Sequence, residues 1–413
     1  MSSHEPTAPR SHWGAFRHRG FAYYWTARLL ANFSVNVVSV AIGWQVYDMT
    51  KDPLDLGIIG LVQFLPALAL VLVTGSVADR FDRRVIMGLC MVGEALAMAA
   101  LLAFTLSGSA NVMIVFAILL GFGVVRAFLG PASGALAPNL VPPEELSGAI
   151  AWNSSSWQVA TITGPVAGGL LYGLAPMAPY LVAVTLVAIG VVLVALIPHT
   201  PQKRLDDKAS WETVIAGFRY VWHEKIVLGA ISLDLFAVLL GGATALLPVY
   251  ARDVLDVGPW GLGLLRAAPA IGAISVALWL AFHPVRDRAG LLLFLFVTVF
   301  GIFTVVFGLS TVTWLSVVAL VVMGASDMVS VYIRETLIQL WTPDAVRGRV
   351  NAVNMVFIGA SNELGEFRAG VSAALIGAVG AVVVGGIGTV GIALIWSRLF
   401  PSLRRARHLD GRP

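Results

Sequence analysis

The chain has 413 residues, of which 58% are hydrophobic and only 12% are charged, and its mean hydropathy is +0.85. A soluble protein carries about 25% charged residues, so this chain is too apolar to cover itself with polar surface in water. The formal net charge is +4, but basic residues that flank apolar segments indicate membrane topology rather than nucleic-acid binding. The composition therefore predicts an all-α membrane protein.

Twelve apolar segments follow one another along the chain, each near the twenty or so residues that a membrane-spanning helix needs. Nearly all Lys and Arg lie in the connections after even-numbered segments, whereas the connections after odd-numbered segments carry only Lys51 and Arg252. The positive-inside rule then predicts that both termini are cytoplasmic. The predicted spans cover roughly residues 21–47, 54–78, 85–107, 111–136, 148–174, 177–198, 226–250, 259–282, 289–309, 312–335, 349–376 and 378–399.

An internal repeat divides the chain into two halves. Residues 143–148 (PEELSG) and 343–348 (PDAVRG) occupy equivalent places, before the fifth and the eleventh segment. Repeated six-helix units are a common transporter architecture. The predicted organisation is a cytoplasmic tail at 1–19, a six-helix half at 20–198, a cytoplasmic linker with an amphipathic helix at 199–225, a second six-helix half at 226–399 and a basic cytoplasmic tail at 400–413.

A charged loop separates the second and third segments and reads G-x-x-A-D-R-x-x-R-R from residue 75 to residue 84. It resembles the loop between the same two spans in the major facilitator superfamily, although Asp82 stands where that family usually has Gly. The resemblance implies two six-helix pseudo-repeats around a central cavity. It also implies a cytoplasmic gate motif, formed by Gly75, Asp79, Arg80, Arg83 and Arg84.

The fifth segment contains Gly164, Pro165, Gly168 and Gly169 in the order G-P-x-x-G-G. This spacing resembles the antiporter signature of the superfamily, which implies a proton-coupled exporter. A second interpretation is structural, because a proline kinks a helix and glycines let helices approach closely. Both interpretations remain open from the residues alone.

Ionisable residues within the spans are the strongest functional signal. Each costs about 2.5–3.5 kcal/mol at a helix centre, so it needs a partner or a wet cavity. The candidates for proton coupling are Asp327, Glu363, Glu366, Asp234 and Glu94. Their candidate charge partners are Arg126, Arg334 and Arg368.

Two of these predictions carry an alternative. Arg126 lies where the superfamily often has a buried arginine near its coupling machinery, but it could equally form a static ion pair with Glu94. Residues 364–370 (LGEFRAG) look like a stretch in the branch that contains the enterobactin exporter and macrolide-type efflux proteins. There, Glu363 and Glu366 share a helix face, and either could instead form a structural pair with Arg368 or Arg334.

The family fold implies that the first, fourth, seventh and tenth spans surround the cavity. The residues predicted to contact the substrate are Asn32, Asn36, Gln45 and Phe64. Six aromatic side chains either form an apolar wall for a bulky substrate or pack at the lipid surface: Trp44, Phe64, Phe122, Phe128, Trp152 and Trp157.

The resulting hypothesis is a secondary active efflux transporter in a bacterial cytoplasmic (inner) membrane. It would exchange protons for an amphipathic small molecule, a siderophore or a drug-like compound, by alternating access. We expect no cofactor, metal or nucleic acid, a monomer in the lipid bilayer, and no enzyme activity, because no constellation of nucleophile, base and metal appears. The alternatives are a proton-coupled importer of a small polar metabolite and a non-transporting membrane sensor.

Overall fold

A computed structural model describes residues 14–199, 218–285 and 287–406, although not the side chains at positions 71, 72, 79, 344, 345 and 352. Parts of the amphipathic linker helix predicted within 199–225 and of both predicted tails lie outside these residues, whereas residues 218–223 of the linker are described and are helical. One continuous helical run, Asp344–Leu399, breaks at Gly377, where φ is +78°, into α11 (344–376) and α12 (378–399). The preceding helices are α1 Arg19–Thr50, α2 Pro53–Arg80, α3 Arg83–Ser107, α4 Val112–Leu136, α5 Leu146–Leu174, α6 Ala178–Ala195, α7 Lys225–Gly241, α8 Gly258–Phe282, α9 Ala289–Leu309 and α10 Thr313–Trp341.

The described residues contain no strand, and ten stretches among them are long and apolar enough to cross a membrane. One of the ten contains both α11 and α12. Helix α5 is not among the ten, and its sequence from 153 to 163 is rich in Asn, Ser, Gln and Thr. The structure therefore confirms the all-α membrane fold, and the twelve helices α1–α12 of the described residues are compatible with the twelve predicted spans.

Short polar caps set the starts of several helices. The Asp52 carboxylate accepts a hydrogen bond from the backbone N–H of Leu54, and Asp82 and Asn111 cap α3 and α4 in the same way. These side chains satisfy backbone donors that have no partner within the helix. At the loop motif, Asp82 is the second residue of the two-residue connection from α2, and it caps the start of α3.

Helix α7 is interrupted where the sequence predicted one continuous span. Regular helix ends at Gly241, and the chain continues through short helical turns to a π-helical segment at Tyr250–Val254. Two consecutive glycines have low helix propensity and Pro248 lacks a backbone N–H, so this region cannot hold an undistorted α-helix. The irregular backbone lies beside the central cavity, which Thr244, Ala245 and Pro248 line.

The helices form two groups, α1–α6 and α7–α12, that meet along two pairs of helices. Helix α5 packs against α8, and α2 packs against α11. We call the end of the bundle where α1 begins and α12 ends the terminal face, and the end where α1 ends and α2 begins the far face. Both pairs bring a helix from one half against a helix from the other.

Candidate functional site

A cavity of about 500 Å³ lies between the two halves, near the middle of the helices. Residues of α1, α2, α4 and α5 form its wall in the first half, and α8, α11 and the irregular continuation of α7 form its wall in the second. Apolar side chains such as Ile42, Phe64 and Phe122 cover part of the wall. A largely apolar pocket with a few polar groups is the usual form of a small-molecule site.

Four charged side chains face this cavity: Glu363 and Glu366 from α11, Arg126 from α4 and Arg266 from α8. The two carboxylates converge on Gly60 of α2. A Cβ atom added at Gly60 would lie 3.0 Å from Oε2 of Glu363 and 3.1 Å from Oε2 of Glu366. Each carboxylate also lies within electrostatic reach of an arginine, Glu363 of Arg126 and Glu366 of Arg266.

Arg126 and Arg266 connect this site to both halves of the protein. Arg126 is exposed in the cavity, stacks over the Phe122 ring at 5.7 Å, and interacts electrostatically with Glu94 as well as with Glu363. Arg266 belongs to the second half, but its Nη1 donates a hydrogen bond to the hydroxyl of Ser39 in the first half. Charges of both halves therefore meet at one place.

Close backbone packing shuts the cavity toward the far face. A Cβ added at Gly370 of α11 would lie 2.9 Å from Cα of Gly57 on α2. One added at Gly263 of α8 would lie 2.5 Å from the carbonyl oxygen of Pro165 on α5. Only glycine lets the two backbones of each pair come this close.

Polar contacts reinforce this closure at the far face. Arg252, after α7, forms an ion pair with Asp48 near the end of α1 and stacks over the Trp44 ring at 5.5 Å. The Tyr47 hydroxyl donates a hydrogen bond to Asp253. These contacts and the glycine contacts all join the far-face parts of helices from opposite halves.

A family model described as transmembrane secretion effector matches residues 10–410. The chain belongs to this branch of the major facilitator superfamily. Enterobactin exporter EntS of Citrobacter koseri is 27% identical over an alignment of 413 positions that covers 94% of each chain, and EntS of Shigella boydii has the same identity and coverage.

Solved structures show the same fold. A bacterial homologue of the human lysosomal transporter Spinster, in an inward-facing and unoccupied conformation, superposes with a TM-score of 0.74 at 14% identity, covering 94% of this chain and 98% of that one. The nucleoside transporter NupG superposes with a TM-score of 0.68 at 13% identity, covering 93% and 98%. The superfamily assignment from the loop motif is confirmed: this chain is a multi-pass membrane transporter and not an enzyme.

The five predicted coupling carboxylates of this transporter fall in three places. Glu363 and Glu366 line the central cavity. Glu94 is 1% exposed and lines a smaller pocket next to Arg126. Asp234 and Asp327 line a void of about 10 Å³ within the second half, which has room for about one water molecule.

Two of the predicted charge partners, Arg334 and Arg368, contact groups other than Glu363 and Glu366. Arg334 forms a buried ion pair with Asp234, joining α10 to α7. Arg368 donates a hydrogen bond of 2.6 Å to the carbonyl oxygen of Leu240. The pairs of Glu363 or Glu366 with these two arginines are therefore not the ones formed, because Arg126 and Arg266 are the cations that face the cavity.

Arg266 is the charged residue of the cavity wall that sequence reasoning missed. It is an ionisable residue within the predicted eighth span, flanked by Leu265 and Ala267. The same cost argument that selected Glu363 applies to it without change. The signal was present, and a uniform search of every span for charges would have found it.

The predicted substrate contacts are partly in the central cavity. Asn36 and Phe64 line it, whereas Asn32 lines the smaller pocket beside Glu94. Gln45 lies away from both: its side chain donates to Thr105 at 3.1 Å and accepts from the Tyr180 hydroxyl at 2.6 Å. That position holds α1 against α3 and α6, so the prediction that Gln45 contacts substrate finds no geometric support.

Of the six aromatic candidates, Phe64 and Phe122 line the central cavity and Trp157 lines the two smaller pockets. Trp152 instead packs edge-on against Trp25 at 5.9 Å, and its carbonyl oxygen accepts a hydrogen bond from the Trp25 indole. The apolar-wall interpretation thus suits some of these residues and the packing interpretation suits others.

The loop motif joins helices of the first half. Arg83 is buried and donates to the carbonyl oxygens of Ala78 and Ala135, at 3.2 and 3.0 Å. Arg84 donates to the carbonyl oxygen of Ile197 at 2.6 Å. Gly75 and Arg80 lie earlier in the motif, on α2. A Cβ added at Gly75 would meet no atom within 4 Å. These arginine bonds fix the terminal-face ends of α2, α4 and α6 relative to α3.

The antiporter motif belongs to α5 and contacts both α1 and α8. Gly164 and Gly168 face α1, because a Cβ added at Gly168 would lie 3.1 Å from Cα of Val37. Gly169 faces the other way, and its Cβ would lie 3.1 Å from Cα of Gly263 on α8. Pro165 lines the cavity between them. The structural interpretation of the motif is therefore supported, and it places α5 at the junction of the halves.

Proposed function

We propose that this transporter is a secondary active exporter that exchanges protons for an amphipathic small molecule by alternating access. The observation that carries the proposal is the central cavity, in which two glutamates of one half face an arginine of the other. We further propose a monomer in a bacterial cytoplasmic membrane, with both termini in the cytoplasm. The antiporter signature and the names of the EntS relatives favour export over import.

The distribution of charge supports this orientation. Nearly all Lys and Arg of the connections lie on the terminal face, which the positive-inside rule makes cytoplasmic. The far face is then the outer face, and the contacts of Gly57, Gly263 and Arg252 close it. In this orientation the structure is an inward-facing state that receives its substrate from the cytoplasm.

The charged cluster supplies a physical route to coupling. Two carboxylates beside one another are costly when both are charged, so the pair Glu363 and Glu366 is suited to carry a proton. Protonation of Glu366 removes its attraction for Arg266, the side chain that bonds to Ser39 across the halves. The contact between the halves therefore depends on whether a proton is bound.

The lining of the cavity indicates the kind of molecule that it binds. Apolar side chains and four charged groups together line a space of about 500 Å³. Pockets of about 300–1,000 Å³ hold drug-sized molecules. A siderophore or a drug-like compound with an apolar body and polar groups fits both the volume and this mixture of apolar and charged side chains.

The test measures substrate-dependent proton release. Everted membrane vesicles from cells that express the protein are acidified by respiration, and siderophores and amphipathic drugs are added while a fluorescent dye reports the internal pH. A substrate of an exporter should alkalinise the vesicles. We expect Glu366→Gln to abolish this signal while substrate–substrate exchange continues, because binding and movement do not need the proton.

Glu335→Gln is the matched control, because Glu335 accepts a hydrogen bond from Asn354 within the second half and does not line the cavity. It should retain proton release. Full release in both Glu363→Gln and Glu366→Gln would contradict the coupling proposal. Gradient-driven accumulation in intact cells would indicate an importer instead.

A further inference from the structure

Two smaller pockets lie between the central cavity and the terminal face, within the first half. One has a volume of about 130 Å³ and shares Val35 and Arg126 with the central cavity. The other has a volume of about 440 Å³ and shares Arg28 and Trp157 with the first. We call these two pockets together the vestibule.

The vestibule follows helix faces that continue from the central cavity. Along α5, Thr161 lines the central cavity, Trp157 lies one turn closer to the terminal face, and Ser154 and Ile150 lie beyond it. Residues spaced three or four apart share one face of a helix. The vestibule and the central cavity are therefore successive parts of one path along the first half.

Three polar atoms buried in the vestibule have no hydrogen-bond partner: Nδ2 of Asn32, Oε2 of Glu94 and Oδ1 of Asn153. Buried polar groups are nearly always paired in folded proteins. The Asn32 nitrogen is a donor, the Asn153 oxygen is an acceptor, and the Glu94 oxygen accepts when it is ionised and donates when it is protonated. A molecule that satisfies them must therefore bring both donors and acceptors, as hydroxyl and amide groups do.

Two other side chains define the shape and charge of the vestibule. The Trp157 side chain is 47% exposed and offers a flat apolar surface. Arg28 donates from Nη1 to the Tyr24 hydroxyl at 2.8 Å, which holds its guanidinium at the wall. Together with Arg126, Arg28 gives the vestibule two positive charges against the single carboxylate of Glu94, so a cation is disfavoured there.

We propose that the vestibule is an entrance subsite that binds a flat-ring compound with hydroxyl or amide groups and no positive charge. The ring stacks on Trp157, and the polar groups pair with Asn32, Glu94 and Asn153. The order of events, vestibule first and central cavity second, rests on the proposed export function. The binding itself does not depend on proton coupling.

The experiment measures equilibrium binding to the purified full-length protein by fluorescence anisotropy. The probe is 6-hydroxy-2-naphthamide, a fluorescent flat ring with one hydroxyl and one amide. Trp157→Ala should weaken binding about fivefold or more, the effect of losing one aromatic contact, and Trp157→Phe should retain most of it. Asn153→Ala should weaken binding as well.

Three comparisons locate the site. Trp314→Ala, which removes another exposed tryptophan at the start of α10, should leave binding unchanged. Phe64→Ala alters the central cavity and should change the affinity less than Trp157→Ala does. An analogue of the probe that carries a trimethylammonium group instead of the amide should bind more weakly than the probe itself.

The results separate this inference from the proposed function. Glu366→Gln should bind the probe like the native protein even though its proton release is lost. Equal affinity in Trp157→Ala and the native protein would overturn the inference, as would a loss in Phe64→Ala alone or stronger binding of the trimethylammonium analogue. An absence of measurable binding to the native protein would overturn it too.

Discussion

Two groups of carboxylates and arginines inside the helix bundle of this transporter are arranged in different ways. In the second half, Asp234 and Arg334 form a direct ion pair whose side chains are 10% and 3% exposed. In the central cavity, Glu363 and Glu366 interact electrostatically with Arg126 and Arg266, and all four side chains line a space of about 500 Å³. The first group is sealed between helices of one half, and the second lies between the halves.

The difference separates two reasons for keeping a charge inside a membrane. A sealed ion needs a fixed partner, because a buried charge without one is strongly destabilising. A group that takes up and releases protons needs access to water and a partner that it can lose. The sequence rule that treats every charge within a span as functional does not distinguish these cases. The environment of each pair does distinguish them.

The largest effect is expected from breaking the sealed pair. Asp234→Asn should lower the stability by about 3–5 kcal/mol, because it leaves the buried Arg334 without its counter-charge. Thermal unfolding of the purified protein in detergent would show the loss. Asp287→Asn is a control for the loss of an exposed carboxylate, since that side chain is 60% exposed. An unchanged melting temperature in Asp234→Asn would contradict the structural role of the pair.

The cavity cluster should respond in the opposite way. Arg266→Gln should change thermal stability little, because water and protonation of Glu366 can compensate there, but it should reduce transport about a hundredfold, near the upper limit of typical coupling between sites. The variant loses both the bond to Ser39 and the charge that faces Glu366. The measurement is proton release in everted vesicles, alongside thermal unfolding.

Arg266→Lys keeps the charge but not the planar geometry of the guanidinium. It should recover part of the transport. Normal transport in Arg266→Gln, or a loss of stability as large as that of Asp234→Asn, would remove the distinction between the two groups.

The sequence predicted the family and the helical architecture because both depend on local signals. Segment hydropathy gave the spans, and the loop at Gly75 to Arg84 gave the superfamily. The sequence also indicated Glu363, Glu366 and Arg126, because a charge within a span is costly wherever it occurs. It did not show that Asp234 pairs with Arg334, since that depends on how α7 and α10, a hundred residues apart, are aligned.

The break in α7 could have been read from the sequence only in part. Gly241, Gly242 and Pro248 are weak helix formers, but glycines occur throughout the spans of this chain and most of them lie in regular helix. What distinguishes this site is its place beside the cavity, where irregular backbone is tolerated. That is a property of tertiary structure.

A smaller effect should follow from adding one methyl group beside the cavity carboxylates. In Gly60→Ala the new Cβ would lie 3.0 and 3.1 Å from the two glutamate oxygens, so both side chains must move by a few tenths of an ångström. Overpacking of this kind costs about 1 kcal/mol, and transport should fall about fivefold. Gly88→Ala is the control, because its Cβ would lie 3.6 Å from Val194, an ordinary contact. Equal transport in both variants would argue against tight positioning of the carboxylates.

The smallest effect is expected at the far face. Asp48 pairs with Arg252 and also accepts a hydrogen bond of 2.9 Å from Lys51, and its side chain is 45% exposed. Pairs this exposed contribute about 0–1 kcal/mol. Asp48→Asn should therefore shift the balance between the closed and open far face by no more than about fivefold.

The shift can be measured as the labelling rate of a cysteine introduced at Thr161, a wall residue of the central cavity, in a Cys90→Ser background. A membrane-impermeant thiol reagent reaches this position from the far face only when that face opens. Labelling should be faster in Asp48→Asn and should approach the native rate when the charges are exchanged in Asp48→Arg with Arg252→Asp. The labelling rate of the native protein should depend on the salt concentration, because salt screens exposed charges. If the exchanged pair labels as fast as Asp48→Asn, the glycine contacts between α2 and α11 and between α5 and α8 determine the closure, and the ion pair adds nothing to it.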